Sequence, residues 1–393
     1  MTARRSELRI LILSFPLSGL VTTQLGPLLP VFTSRWSLTD TQAGQLFLAQ
    51  FLSSTAGALC SGRMIAKAGA ARLIGLCYVA MAIAVLALGW ASRPVGMLAV
   101  AGYGFALGAS IPTVNLLGGQ RSGEAARSLA KSPARSAAAE VQHAVARLNL
   151  LNVAWCAGAV LGPPAIVFLL GTGGLLVVLG SVSSLCGLAG AACLLRLPHG
   201  PAGAASADRG AIGRVGLAAA IAAAFFLFLY VGVENGLSGW LLLFAERAIG
   251  VGAPTAAAAV SAFWASILAA RLAAASAAGR ARPHRWILAG LTTAFAGIGA
   301  LIFGRSAGTL LAGAAVAGLG LGPVFPTAVA LFQDRAGTAS ARLIGLVFAA
   351  AGCGGGALPW LVGAISSGCG NLRVGMAATL AATAGMIMLL CRL

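Results

Sequence analysis

One carboxylate in this chain falls inside an apolar run. Glu234 lies within Phe225 to Phe244, FFLFLYVGVENGLSGWLLLF, beside Asn235 and close to Trp240. An ionised side chain facing hydrocarbon costs about 2.5 to 3.5 kcal/mol on insertion scales, so such an acid turns to a bundle interior or a wet cavity and marks a pathway. Its chemistry there would be that of a transport site: a carboxylate that takes up a proton, faces a cation or accepts a hydrogen bond from a solute hydroxyl. The competing role is structural, an acid paired with an Arg or bonded to backbone and water.

Other residues of the right type are scattered along the chain. Gln24, Asn115, Asn149, Asn152 and Asn235 supply planar amides, and Trp155, Trp240 and Phe325 supply rings. Amides and carboxylates bond vicinal hydroxyls while a ring covers the apolar face of a pyranose, so the set suits a sugar. Two members carry a second reading. Asn149 and Asn152 are three apart on one helix face and would serve equally to staple that helix to a neighbour. Trp240 would serve equally as an interfacial belt residue. No nucleotide loop, metal-ligand cluster or nucleophile with its base is present, so an enzyme and a resident cofactor are not expected.

These residues must be positioned by membrane helices. Of 393 residues 59% are hydrophobic and 9% charged, with mean hydropathy +0.94, where a soluble domain carries about 25% charged residues. Apolar runs of about 20 residues, the helical length that crosses ~30 Å of hydrocarbon, recur between short polar breaks. The expected spans are twelve: 8–32, 42–62, 73–91, 95–118, 148–170, 174–195, 215–244, 256–279, 286–304, 307–332, 343–365 and 374–391. The fold expected is all-α, a polytopic membrane protein with its spans in two bundles of six. The apolar run after Arg5 is longer than a signal-peptide core, so the first span is expected to be retained.

A net charge of +18 would suggest nucleic acid in a soluble protein. Here the cations follow the loops. With the N-terminus inside, only Arg35, Arg93, Arg247, Arg305 and Arg373 of the 26 Lys and Arg fall outside. The positive-inside rule then places both termini in the cytoplasm, most simply of a bacterial inner membrane, with the lipid bilayer and not nucleic acid as the partner. A monomer is expected, since one chain holds both bundles. Seven of the eight cysteines fall in spans and read as small packing residues.

The chain also repeats itself. A shift of 214 residues lays Gly104 on Gly318, Gly108 on Gly322, and Pro112-Thr113 on Pro326-Thr327. A shift of 196 lays Gly158 on Gly354. The 18-residue difference falls in an Ala-, Ser- and Arg-rich stretch, 119–147, read as a surface loop insertion whose cations lie against the anionic inner leaflet. Residues 1–196 and 214–393 are therefore expected to be two pseudo-symmetric halves, joined by the Pro-, Gly- and Ala-rich linker 197–213. Between the seventh and eighth spans, Glu234 is expected on the outer side of the midplane and Arg271 on the inner side. At 1.5 Å rise per residue they would be roughly 10 to 15 Å apart, so Arg271 is expected to snorkel or to meet a carbonyl rather than Glu234.

Two six-helix halves related by a repeat resemble the major facilitator superfamily. Gly62-Arg63-Met-Ile-Ala66-Lys67-Ala-Gly69-Ala-Ala-Arg72 resembles its cytoplasmic gate motif, with Ala66 where the acid stands; the gate residues implied are Arg63, Lys67 and Arg72, with Asp334 and Arg335 in the second half. Tyr230-Val-Gly-Val-Glu234-Asn-Gly-Leu-Ser-Gly-Trp240, Phe263-Trp264, Arg271 and Gly322-Pro-Val-Phe-Pro326-Thr327 resemble the fucose, galactose and glucose symporters. That resemblance implies transport of a small polar solute, most simply a sugar, by alternating access, with a proton or sodium ion as the candidate coupling partner. The family's two carboxylates correspond to Gly26 and Ile111 here, which leaves Glu234 as the ion-coupling candidate. Two other classes stay open. Gly158-Ala-Val-Leu-Gly162-Pro163 looks like the fifth-helix motif of drug antiporters, and the missing acids also suit a non-transporting membrane sensor.

Overall fold

The computed structural model describes residues 2–127, 133–197, 214–276, 283–336 and 340–392; side chains are described over 9–117, 150–197, 217–274, 283–332, 343 and 345–391. The linker stretch 198–213 lies outside them. Among the described residues thirteen helices follow in order: α1 (Thr2–Thr23), α2 (Leu25–Arg35), α3 (Asp40–Ala68), α4 (Ala70–Ala87), α5 (Arg93–Arg127), α6 (Pro133–Arg196), α7 (Arg214–Phe244), α8 (Ala253–Ser276), α9 (Pro283–Phe303), α10 (Ala307–Leu321), α11 (Val324–Ala336), α12 (Ser340–Cys369) and α13 (Leu372–Arg392). A single π-helical turn, Ala245–Ile249, extends α7. With no water in hydrocarbon, backbone groups must find their partners within the segment, which is why a chain crosses a membrane as helices.

Two of the breaks have the same cause. A proline clashes with the carbonyl four residues back. Pro27 acts on Thr23, where α1 ends and the chain bends by 41° into α2. Pro326 acts on Gly322, between α10 and α11.

Among the described residues nine helices are long and apolar enough to cross a membrane, or ten when the bent pair α1 and α2 is one span. The 47-residue stretch Leu150–Arg196 would be about 70 Å long as one helix, over twice the hydrocarbon thickness. It is divided by Gly174, at φ 72°, where the left-handed backbone favours glycine. α3, at 29 residues, is long enough but carries Thr41, Gln42, Gln45, Gln50, Ser53, Ser54 and Thr55. With Gly174 and α3 counted, the twelve expected spans are accounted for. Over 119–147, the stretch read as an insertion, the described backbone is helical, as α5 to Arg127 and as α6 from Pro133, as its Ala, Arg and Glu content favours.

The chain forms two compact units. One comprises Met1–Thr22, Ser53–Ala159 and Gly173–Ala204. In it a β-carbon built at Gly158 would meet the Pro16 carbonyl, and one at Gly108 would meet that of Ser54, so α1 crosses α6, and α3 crosses α5, backbone to backbone. Tyr78 donates its hydroxyl to the Ser14 carbonyl at 2.9 Å and lies 3.0 Å from the Ser18 hydroxyl. The other unit comprises Thr23–Leu52, Val160–Thr172 and Ala205–Leu393. There a β-carbon at Gly354 would meet the Phe228 carbonyl, and one at Gly322 would lie 2.8 Å from that of Ile267. The glycines that the sequence repeat pairs thus occupy equivalent crossings, each in its own unit.

Candidate functional site

On α7 the spacing of four brings Tyr230 and Glu234 onto one face. Glu234 is 7% exposed. Nη2 of Arg271, on α8, donates to Oε1 of Glu234 at 3.3 Å. The Tyr230 hydroxyl donates to the Leu321 carbonyl of α10 at 3.0 Å and adjoins both the carboxylate and the guanidinium. The ring of Phe325, on α11, stands 5.5 Å from that of Tyr230 and 6.0 Å from Phe348 of α12. A part-buried ion pair, a phenol and an aromatic wall therefore meet inside the second unit.

The expected separation of Arg271 from Glu234 is corrected by that contact. Measured from Gly250, where the chain turns back, Glu234 is 16 residues away and Arg271 is 21. Five residues amount to about 7.5 Å of helix rise. A fully extended arginine side chain spans that distance, so the two groups meet although their backbones differ in depth.

The structure treats the remaining candidates differently. Gln24, at the bend between α1 and α2, is 1% exposed, and neither Oε1 nor Nε2 has a hydrogen-bond partner in the protein. Oδ1 of Asn115 is likewise buried and unpartnered. Such groups cost about 1 to 3 kcal/mol when left unsatisfied, so a bound polar molecule or water is the natural partner of each. Asn235 turns back on its own helix, its Nδ2 donating to the Val231 carbonyl at 2.9 Å. Asn152 is exposed. Trp240 is wholly buried, donates from Nε1 to the Pro359 carbonyl at 2.8 Å and packs on Phe47 at 6.2 Å. Its ring therefore ties α7 to α12.

Arg63, Lys67 and Arg72 are exposed around the α3–α4 junction. Gly69 makes that turn at φ 79°, a conformation that explains a glycine at this place in the motif. The side chains of Asn149, Asp334 and Arg335 lie outside those described.

A second polar group went unanticipated in the sequence. Asp40, at the start of α3, accepts from Arg247 at 2.7 Å with one oxygen and from Ser366 at 2.6 Å with the other. The Thr41 amide donates to Ser367 at 2.9 Å. A cavity of about 490 Å³ opens beside them, lined also by Asn371. The one signal available was that Asp40 and Arg247 are both charged residues at span ends, which fixes no pairing.

The sequence profile described as Major Facilitator Superfamily matches residues 11–358. The chain belongs to the Major Facilitator Superfamily. No protein among the curated sequences matches it. Among solved structures, this superfamily member is similar to a bacterial homologue of the human lysosomal transporter Spinster in an inward-facing, occupied conformation, at 18% identity and TM-score 0.70, covering 100% of this chain and 97% of that one. It is similar to a mutant of the nucleoside transporter NupG at 15% identity and TM-score 0.76, covering 98% and 99%. FucP, a Major Facilitator Superfamily transporter in the outward conformation, aligns at 18% identity and TM-score 0.63, covering 99% of each chain. At these identities the likeness is one of fold.

Proposed function

We propose that this superfamily member is a secondary active transporter of a small polar solute, a sugar or sugar derivative, working by alternating access. Residues 1–196 and 214–393 act as its two halves, and both termini face the cytoplasm. The observation that carries the reading is the Glu234–Arg271 pair at 3.3 Å inside the helices of a membrane protein. Desolvating two charges costs several kcal/mol that their attraction repays only in part, so a structural tie would be better served by apolar residues. A transporter has a use for them: a carboxylate that changes partner during the cycle couples the solute to a proton or sodium ion. The buried, unpartnered amide of Gln24 supports the same reading, since a hydroxylated solute satisfies it.

The test is uptake by the purified protein in liposomes, offered labelled hexoses and hexose derivatives under an imposed proton or sodium gradient. Accumulation that collapses with one of the gradients is expected. If no compound exchanges across the membrane in either direction, the transport reading fails.

A further inference from the structure

Building on that reading, we infer that the solute carries a carboxylate, or an equivalent single anionic group, and that Arg271 binds it by giving up Glu234. Three observations on the pair lead there. The side chain of Arg271 is 27% exposed and that of Glu234 only 9%, so the cation is the charge more open to an arriving solute, with the acid behind it. The contact is long: Nη2 to Oε1 at 3.3 Å, where charge-assisted N–H···O bonds run about 2.7 to 2.9 Å and guanidinium–carboxylate pairs are often bidentate. The same chain makes the tighter pair elsewhere, with Arg247 and Asp40 at 2.7 Å.

A guanidinium presents five donors in a planar fork that matches a carboxylate, so a solute carboxylate at Arg271 can take up the bidentate geometry. The Tyr230 hydroxyl, adjoining both charged groups, has its O–H on the Leu321 carbonyl and leaves its oxygen to accept from a solute hydroxyl. Phe325 and Phe348 offer ring faces beside it for the apolar side of the solute.

Gln24 indicates the rest of the molecule. The Gly26 backbone meets α7 at Ser238 and Gly239, and Asp40 meets Arg247 further on, so α2 and α7 run the same way. Gln24 then lies within about one helical turn of Glu234 in depth. Its unpartnered amide at that depth fits a solute that has hydroxyls as well as its carboxylate, a hexuronate or a similar polyhydroxy acid.

Charge balance gives the coupling. Once the anion holds Arg271, a bare Glu234 would be a buried unpaired charge. Its carboxylate oxygen takes one proton from the aqueous phase as the solute binds, and returns it on release when the Arg271 pair reforms. Among the described residues the titratable and charged groups beside Glu234 are Arg271 of α8 and Tyr230 of α7.

The experiment compares melting temperatures of the purified full chain with glucuronate and galacturonate against glucose and galactose. The hexuronates at about 100 times their Kd should raise the midpoint by about 3 °C or more, and the neutral hexoses should not. Because Arg271→Gln alone strands Glu234 and threatens folding, the decisive variants are Glu234→Gln and the neutral double Arg271→Gln/Glu234→Gln. The first keeps the hexuronate response and the second loses it. Equal responses to neutral hexoses, or a hexuronate response that survives in the double variant, overturn the inference while leaving the transporter reading intact. No response to either class in the wild type, together with no exchange in liposomes, overturns both.

Discussion

Gly26 of α2 lies directly on the backbone of α7 at Ser238. A β-carbon there would stand 2.9 Å from the Ser238 carbonyl oxygen and 3.1 Å from that of Gly239. The position where the resembling symporters hold a carboxylate is thus sterically closed to any side chain while α2 rests on α7. Gly26→Ala should therefore lower stability by about 1 to 3 kcal/mol through overpacking. Gly62→Ala, on a helix with no atom within 4 Å of its added carbon, should be neutral or stabilising by up to about 1 kcal/mol. Thermal unfolding of the two variants side by side checks this, and equal melting temperatures would contradict it.

Asp40 is engaged through both oxygens, by Arg247 and by Ser366. Removing it leaves two donors without an acceptor, so Asp40→Ala should cost about 1 to 3 kcal/mol. Arg247→Ala should cost less, about 0.2 to 1 kcal/mol, because its side chain is 44% exposed and water screens the pair. The order of the two losses is the measurement; the reverse order would place the interaction elsewhere.

Trp240 tests the division between packing and binding. Trp240→Phe keeps most of the buried ring but removes its hydrogen bond to the Pro359 carbonyl, so stability should fall by about 0.5 to 1.5 kcal/mol. Solute affinity, read by the same shift assay, should stay within twofold of wild type. A variant as stable as wild type but weaker in binding would put the indole in the solute site.

Glu234→Gln keeps shape and hydrogen-bonding capacity while removing the ionisable group. The variant should still bind and exchange solute across liposomes yet fail to concentrate it against a gradient. Accumulation equal to wild type would make Glu234 a neutral hydrogen-bonding group with no part in coupling.

The cation asymmetry predicts the topology independently of any site. A reporter fused after Leu393 should lie in the cytoplasm, and one inserted at Ser366 to Asn371 should lie outside. Reversed labelling would end that assignment.

Hydropathy and glycine placement are local properties, and they carried the class, the span positions and the repeat. Gly158 and Gly354 could be paired from sequence because a close helix crossing demands the missing side chain at the crossing itself. The break between α10 and α11 fell inside a span, 307–332, expected to be continuous. What the residues touch across helices was decided only in three dimensions. Arg271 and Glu234 were placed too far apart by counting rise from nominal span ends. The true reference is the turn at Gly250 beyond the π-helical Ala245–Ile249, and an arginine's length closes the remaining step. Trp240 reads the same from sequence whether it faces lipid headgroups, a solute or a helix; in the structure its indole donates to the Pro359 carbonyl, 119 residues away. Periodicity determines which face of a helix is apolar, whereas helix depth, tilt and side-chain reach determine which polar groups on different helices meet.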